Sequence, residues 1–363
     1  MSMTATDSWA QLRALRADPP GHAGGKGDRR KAFSASLEQA ERLWDASLTV
    51  GAPASPMLKF YSLLQAGHAL SAARSPKGNG WRAPEGHGLG FQVDRALLDA
   101  DPLHAVRVFQ NGHGRIQVVA AALGSPVLTE RVSLATVIAA TPTAFLAFGD
   151  ELDPTVRPLV INFGDANWME GELAQALIGP VPDTLLTTRH VPAGPNNLAY
   201  TITELADHTQ ARAWLASYPA LAALGPPAEL SHVNPINWDR RPNKSYDLRV
   251  LWPKNMLADW EAERAVPDWS LADRWSTNQR GLVLPAIAGN TTAIHPLIGW
   301  WLTLYGLSML CRYFPEAWVT ALNLDTSCWA VPLETLLTRE AARIPELLVD
   351  AVQPPSTPSG PVE

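Results

Sequence analysis

The chain has 363 residues, of which 46% are hydrophobic and 18% charged, with 29 basic against 35 acidic side chains. That length suggests about two domains or one large one, with enough apolar material for a sizeable core. The net charge of −6 argues against general attraction to nucleic acid or anionic membrane, although a local basic groove can sit on an acidic protein.

Ala17–Arg30 is polar and broken by Pro19-Pro20-Gly21 and Gly24-Gly25, so residues 1–33 read as a flexible arm. Ser36 stands three residues before Gln39, a capping-box pattern. Leu37, Ala40, Leu43, Trp44 and Leu48 follow at helical spacing. Gly51-Ala52-Pro53 ends that helix, and Ser55-Pro56 opens a second, with Met57, Phe60, Tyr61, Leu64 and His68 on one face. A short turn between two helices makes them an antiparallel pair. His68 reads as a core histidine.

From Ser75 the pattern changes. Leu89–Ala121 reads as a small antiparallel sheet, with strands at Gly88–Val93, Ala105–Gln110 and Gly114–Val119, and with Asn111-Gly112 as a hairpin turn. Leu134–Ala140 reads as a helix, Pro158–Phe163 as a strand and Trp168–Leu177 as a short helix. Leu198–Ile202 and Tyr246–Leu251 read as strands, Thr209–Ala216 and Asn255–Arg264 as helices, and His232–Ser245 as a loop. Leu224-Gly225-Pro226-Pro227 is the best internal linker. The tail from Gln353 is disordered by composition.

Gly281–Cys311 holds no Asp, Glu, Lys or Arg. A membrane span needs about 20 apolar residues. Here the apolar core is shorter, and extending it takes in His295 and Asn290-Thr291-Thr292, so a buried central helix is expected instead. Gly299, Thr303 and Gly306 give that helix a small face on which a second helix can pack closely. The helices around Leu37 and Ser55 and the segment after Val331 are its expected partners, with Pro345 dividing that last segment. Fourteen tryptophans are read as packing residues, and 31 prolines as frequent helix breaks. Two cysteines give no disulfide framework, and Met1–Ala10 has neither a basic start nor an apolar run, so a reducing cytoplasm is expected.

The stretch His295-Pro296-Leu297-Ile298-Gly299-Trp300-Trp301, continuing through Tyr305–Tyr313 to Pro315 and Trp318, resembles the C-terminal block of the YaaC-like family of bacterial proteins. Phe60–Ala66 is similar to that family's aromatic helix, Gly86–Leu89 to its His-Gly turn, and Leu333–Leu348 to its closing helical region. The resemblance covers roughly Leu37–Val93 and Gly281–Val349. It implies a bacterial intracellular protein of uncharacterised activity and brings no agreed catalytic residues.

Arg82 precedes His87 by five residues, a spacing that resembles the Arg-x4-His signature of HEPN-type ribonucleases. There the histidine would act as general acid or base on a ribose hydroxyl, and the arginine would stabilise the phosphorane. Pro84 and Gly86 suggest a loop rather than the helix such enzymes use, so a turn histidine is the competing reading. His113 and Arg115 form a second pair, and His87 and His113 could share a face if the sheet folds back. Arg240, Arg241 and Lys244, with Arg249 between Trp238 and Trp252, make either a basic-aromatic nucleic-acid surface or a solvated loop. Asn290, Thr291 and His295 precede the buried helix and suit either an anion or simple capping. No metal-ligand spacing, P-loop or dinucleotide fingerprint occurs, and no cofactor is expected.

These features together predict an α+β protein, mainly helical, with N- and C-terminal helices packed together and a small antiparallel sheet. The expected divisions are the arm at 1–33, a helix pair with sheet and mixed insertion at 34–225, a helical region at 226–352 and a tail at 353–363. The expected function is binding or regulation, with RNA or DNA, a protein partner or a second copy of the chain as candidate partners and a membrane disfavoured. A metal-independent, HEPN-like ribonuclease of defence or toxin type is the alternative.

Overall fold

A computed structural model describes residues 5–76, 79–82, 86–149, 151–163, 173–193, 199–235, 246–253 and 280–353. The fold is α+β and mainly helical, and the described strands pair antiparallel. The chain forms two compact units, Met1–Asp153 with Ile287–Glu363 and the inserted Pro154–Ala286.

The first unit is built on helices. α1 (Ala5–Ala17) buries Trp9, Leu12 and Leu15, and Trp9 meets Trp44 with ring centroids 6.0 Å apart. α2 (Asp28–Thr49) buries Phe33, Leu37, Ala40 and Trp44 on one face, against α3 (Ser55–Arg74). The expected flexible arm is therefore corrected. An apolar edge at Trp9, Leu12 and Leu15 outweighs the polar stretch that follows, and Arg29 ties the start of α2 to the carbonyls of Ala72 (3.2 Å) and Ser75 (2.8 Å). Ser36 lies inside α2 and is buried, so the helix does not start there.

Three short strands follow: β1 (Leu89–Val93), β2 (Val106–Gln110) and β3 (Val132–Ser133), in the order β1-β2-β3. The first two pair from Leu89↔Gln110 to Val93↔Val106. A four-residue helix, α4 (Pro102–Ala105), leads into β2. The stretch expected as a third strand is helix α5 (Arg115–Ala122). Its first turn is closed by Gln117, whose Oε1 accepts from Gly114 N at 2.7 Å while its Nε2 donates to Gly88 O at 2.8 Å. Asn111-Gly112 thus leads into a helix rather than turning a hairpin. α6 (Leu134–Ala140) matches its expected span, capped by Ser133 Oγ on Thr136 N.

The charge-free segment ends in α9 (Pro296–Tyr313), which is buried from Pro296 through Leu310. Among the described residues, no helix is long and apolar enough to cross a membrane. α9 packs on α3, on α6, on α10 (Pro315–Ala321) and on α12 (Ile344–Val352), with α11 (Ala330–Thr335) before the last. Its small face meets α6, a helix not among its expected partners. A Cβ on Gly299 would lie 2.5 Å from Thr141 Oγ1, and one on Gly306 would lie 2.6 Å from Leu134 Cδ1. Pro345 sits in the first turn of α12, where a missing N–H costs nothing.

The second unit is a five-stranded antiparallel sheet in the order β10-β4-β5-β9-β8, with a two-stranded ribbon β6-β7. Its strands are β4 (Leu159–Phe163), β5 (Leu173–Gly179), β6 (Leu186–Val191), β7 (Tyr200–Leu205), β8 (Glu229–Pro235), β9 (Tyr246–Pro253) and β10 (Arg280–Val283). Helices α7 (His208–Ala216) and α8 (Pro219–Ala222) join Ile161, Ile178, Val250 and Trp252 in one apolar core. Two expectations are corrected here. Leu173–Leu177, read as helix, is strand: it pairs with β4 on one edge and β9 on the other, and Ala176 and the following Ile178 join the core. The start of the expected loop at His232 belongs to β8. The linker expected at Leu224–Pro227 falls inside this unit, where Leu224 is core and Gly225 O accepts from Trp252 Nε1 at 3.2 Å. Trp168, the helix expected at Asn255–Arg264 and the tail lie outside the described residues.

Candidate functional site

Three separate stretches of the first unit meet at the His-Gly turn. From α3, Phe60 points inward and Tyr61 outward, the latter 42% exposed. From α9, Tyr305 places its ring 5.5 Å from Phe60 and 4.9 Å from His87. His87 also meets Phe60 edge-on at 6.1 Å. The Tyr305 hydroxyl donates to Leu89 O at 3.3 Å. Burial, reinforced by Tyr313, pushes its pKa up to about 12, so it remains a neutral donor. His87 Nδ1 accepts from Leu89 N at 3.1 Å, which puts the proton of the neutral ring on Nε2. Burial lowers the His87 pKa, so the ring is neutral at pH 7.

Two residues along β1, Phe91 stacks on Tyr313 with centroids 5.6 Å apart and planes 18° apart. Eight residues of α9 separate Tyr305 from Tyr313, a rise of about 12 Å. Tyr313 is 50% exposed, with the Arg312 guanidinium 5.0 Å from its ring centre. Arg95 lies 5.9 Å from the ring of Phe314. Both arginines are exposed, and among the described residues neither has an ion-pair partner. The nearest acids in sequence are Asp94, which accepts from Ala96 N at 3.0 Å, and Glu316.

The residues expected to carry chemistry do not assemble into one centre. Arg82 is exposed, pairs with Asp28 at 2.6 Å and lies over Trp81 at 4.9 Å. No contact joins it to His87 among the described residues. His113 is exposed on its turn, whereas the His87 ring packs among aromatics, so the two histidines do not form a pair. Arg115 is buried and donates to Trp81 O at 3.0 Å. Its backbone N–H and that of Ile116 donate to the carbonyls of Gly86 and His87, both at 3.2 Å, which ties the turn to α5.

At the entrance of α9, His295 Nδ1 accepts from Leu297 N at 3.2 Å, and the His295 backbone N–H donates to Ser125 Oγ at 2.9 Å. Burial, then the Arg74 charge, lowers the His295 pKa to about 4. Asn290 Nδ2 donates to Val127 O at 2.7 Å, and Thr291 is exposed. The first N–H groups of α9 are thus used by its own cap. Arg240, Arg241 and Lys244 lie outside the described residues. No group of three or more His, Cys, Asp or Glu that could hold a metal occurs among the described residues.

The residues that build the aromatic surface, Phe91, Tyr305 and Tyr313 with Arg95 and Arg312, were not singled out by sequence as a site. Their signal was present in two aromatic pairs, Phe60-Tyr61 and Tyr313-Phe314, the second directly after Arg312. No curated protein and no solved structure matches the chain. The family model described as YaaC-like Protein matches residues 5–175 and 185–352, which take in α3, the His-Gly turn and α9 together, and the chain belongs to the YaaC-like family.

Proposed function

We propose that this chain is a cytoplasmic bacterial binding protein, not an enzyme, whose ligand is single-stranded nucleic acid taken on the surface around Tyr313. The observation that carries this reading is the half-exposed Tyr313 ring, stacked on Phe91, with Arg312 over it and Arg95 over the ring of the next residue, Phe314. A base stacked on an aromatic side chain contributes about 1–3 kcal/mol, and guanidinium groups beside it can meet the backbone phosphates. The chain's net negative charge favours such a local contact over a long basic track. Two free thiols, Cys311 and Cys328, support a reducing compartment.

The ribonuclease alternative would need Arg82 and His87 to converge on one phosphate. Arg82 is engaged by Asp28 and Trp81, and His87 by Leu89 and Tyr305, which favours binding over cleavage. Fluorescence anisotropy with labelled RNA, DNA single strands and a duplex tests the reading. Single strands are expected to bind more tightly than duplex, and Tyr313→Ala to weaken binding about 5- to 150-fold, the equivalent of one stacked base. The labelled strand should be recovered intact. Cleavage lost in Arg82→Ala and His87→Ala would establish the alternative.

A further inference from the structure

We propose that the outer face of the sheet β1-β2-β3 is a second stacking subsite for the same single strand, with Phe109 as its platform and Arg107 and Arg131 as its phosphate contacts. The proposal rests on the nucleic-acid reading and extends it from one base to a strand that crosses the edge of β1. Alternation along β2 decides which side chains share this face. Val106 and Val108 are buried in the core, so Arg107 and Phe109 point the other way, the first exposed and the second partly so. Gly90 pairs with Phe109, and Gln92 with Arg107. A Cβ on Gly90 would lie 2.6 Å from Phe109 Cε2, so the bare glycine lets the ring lie down across β1. Arg131 stands just before Val132, which is turned inward, and its guanidinium lies over the Phe109 ring at 4.9 Å.

This face carries charge without a counter-charge. Arg107 and Arg131 are both exposed, and among the described residues neither has a hydrogen bond or an ion pair. The nearest acids in sequence are turned to other uses. Asp94 accepts from Ala96 N at 3.0 Å, and Glu130 reaches the turn at Gly289, where a Cβ would lie 2.8 Å from its Oε1. Guanidinium groups beside a flat ring suit a chain that alternates bases with anions. An acidic peptide would pair with the arginines but make no use of the ring. Arg131 already lies over Phe109, yet an exposed cation–π contact is worth less than a stacked base. A base therefore displaces the guanidinium, whose long stem keeps it within reach of the adjoining phosphate. β1 is the edge strand of its sheet, and Phe91, next to Gly90, stacks on Tyr313. Neighbouring residues of a strand face opposite ways, so only β1 separates the two platforms. A nucleic-acid strand passing over this edge meets both.

The test is anisotropy of the full chain with a labelled single strand of about ten nucleotides, long enough to reach both platforms. Phe109→Ala should weaken binding about 5- to 150-fold, the equivalent of one stacked base. Arg107→Ala/Arg131→Ala should flatten the slope of log K against log salt by about 1.4. Both arginines are exposed, so this second variant decides if Phe109→Ala does not fold. If Tyr313→Ala weakens the complex while folded Phe109→Ala does not, the second subsite is overturned and the Tyr313 reading stands. An unchanged salt slope in the double arginine variant overturns it in the same way. A wild-type protein that binds no single strand removes the nucleic-acid reading itself, and this subsite with it. Binding of a polyglutamate peptide instead, lost in the double arginine variant, would assign the face to an acidic protein partner and overturn the proposal.

Discussion

Single residues in this protein are mostly spoken for. His87, His295 and Arg115 looked chemically available in the sequence, yet each makes a hydrogen bond that holds a turn or helix end. The sequence shows residue types but not whether a ring nitrogen will face solvent or the next backbone N–H, so this part of the candidate site was not legible. Lys59 is hidden from the sequence for the same reason. It is 2% exposed, donates to Ser47 Oγ at 2.9 Å and lies 5.0 Å from the Trp44 ring. Burial lowers its pKa from 10.5 to about 8. The folded amine therefore loses its proton before the unfolded one does, and folding releases a proton between pH 8 and 10.5. Stability from this group is lowest below pH 8 and rises through that window. Relative to Lys59→Met, wild-type stability in urea should gain up to about 3 kcal/mol from pH 8 to 10.5. A constant difference between the two proteins would show that the amine is not desolvated.

At the scale of elements, what could be read depended on where each segment's partner lay. The buried central helix was legible because a long charge-free run has few other places to go, and its small residues announced a close neighbour. That the neighbour is α6 was not legible, because a small face does not say which helix fills it. Gly306→Val should therefore push against Leu134 and lower stability by about 1–3 kcal/mol, read as a fall in the urea midpoint. A variant as stable as wild type would mean that α6 can move away freely. The strand expected at Gly114–Val119 is helix α5 for a similar reason. Its apolar alternation is compatible with a sheet, but Gln117 closes a helical turn by bonding both Gly114 and Gly88, a long-range contact invisible to local pattern.

The whole molecule has a discontinuous helical unit, closed by segments from both ends of the chain, and a separate β-rich unit inserted between them. The joining of N- and C-terminal helices was legible from their shared apolar faces; the size of the inserted sheet was not, because its strands pair across long gaps in sequence. Gly67 of α3 lies directly under Trp301 of α9, so neither half of the helical unit has a complete core alone. Residues 1–153 expressed alone should fail to give a cooperative thermal transition, and co-expression with 287–363 should restore one. A cooperative transition from the first fragment alone would contradict this. The central claim is that the fold positions Tyr313, Arg312 and Arg95 as one surface for single-stranded nucleic acid. Its most direct test is the salt dependence of oligonucleotide binding, compared between wild type and Arg95→Ala/Arg312→Ala. Each phosphate contact on a single strand contributes about 0.7 to the slope of log K against log salt, so losing both arginines should flatten it by about 1.4. A wild-type protein that binds no single strand, or a double variant with an unchanged slope, would contradict the account.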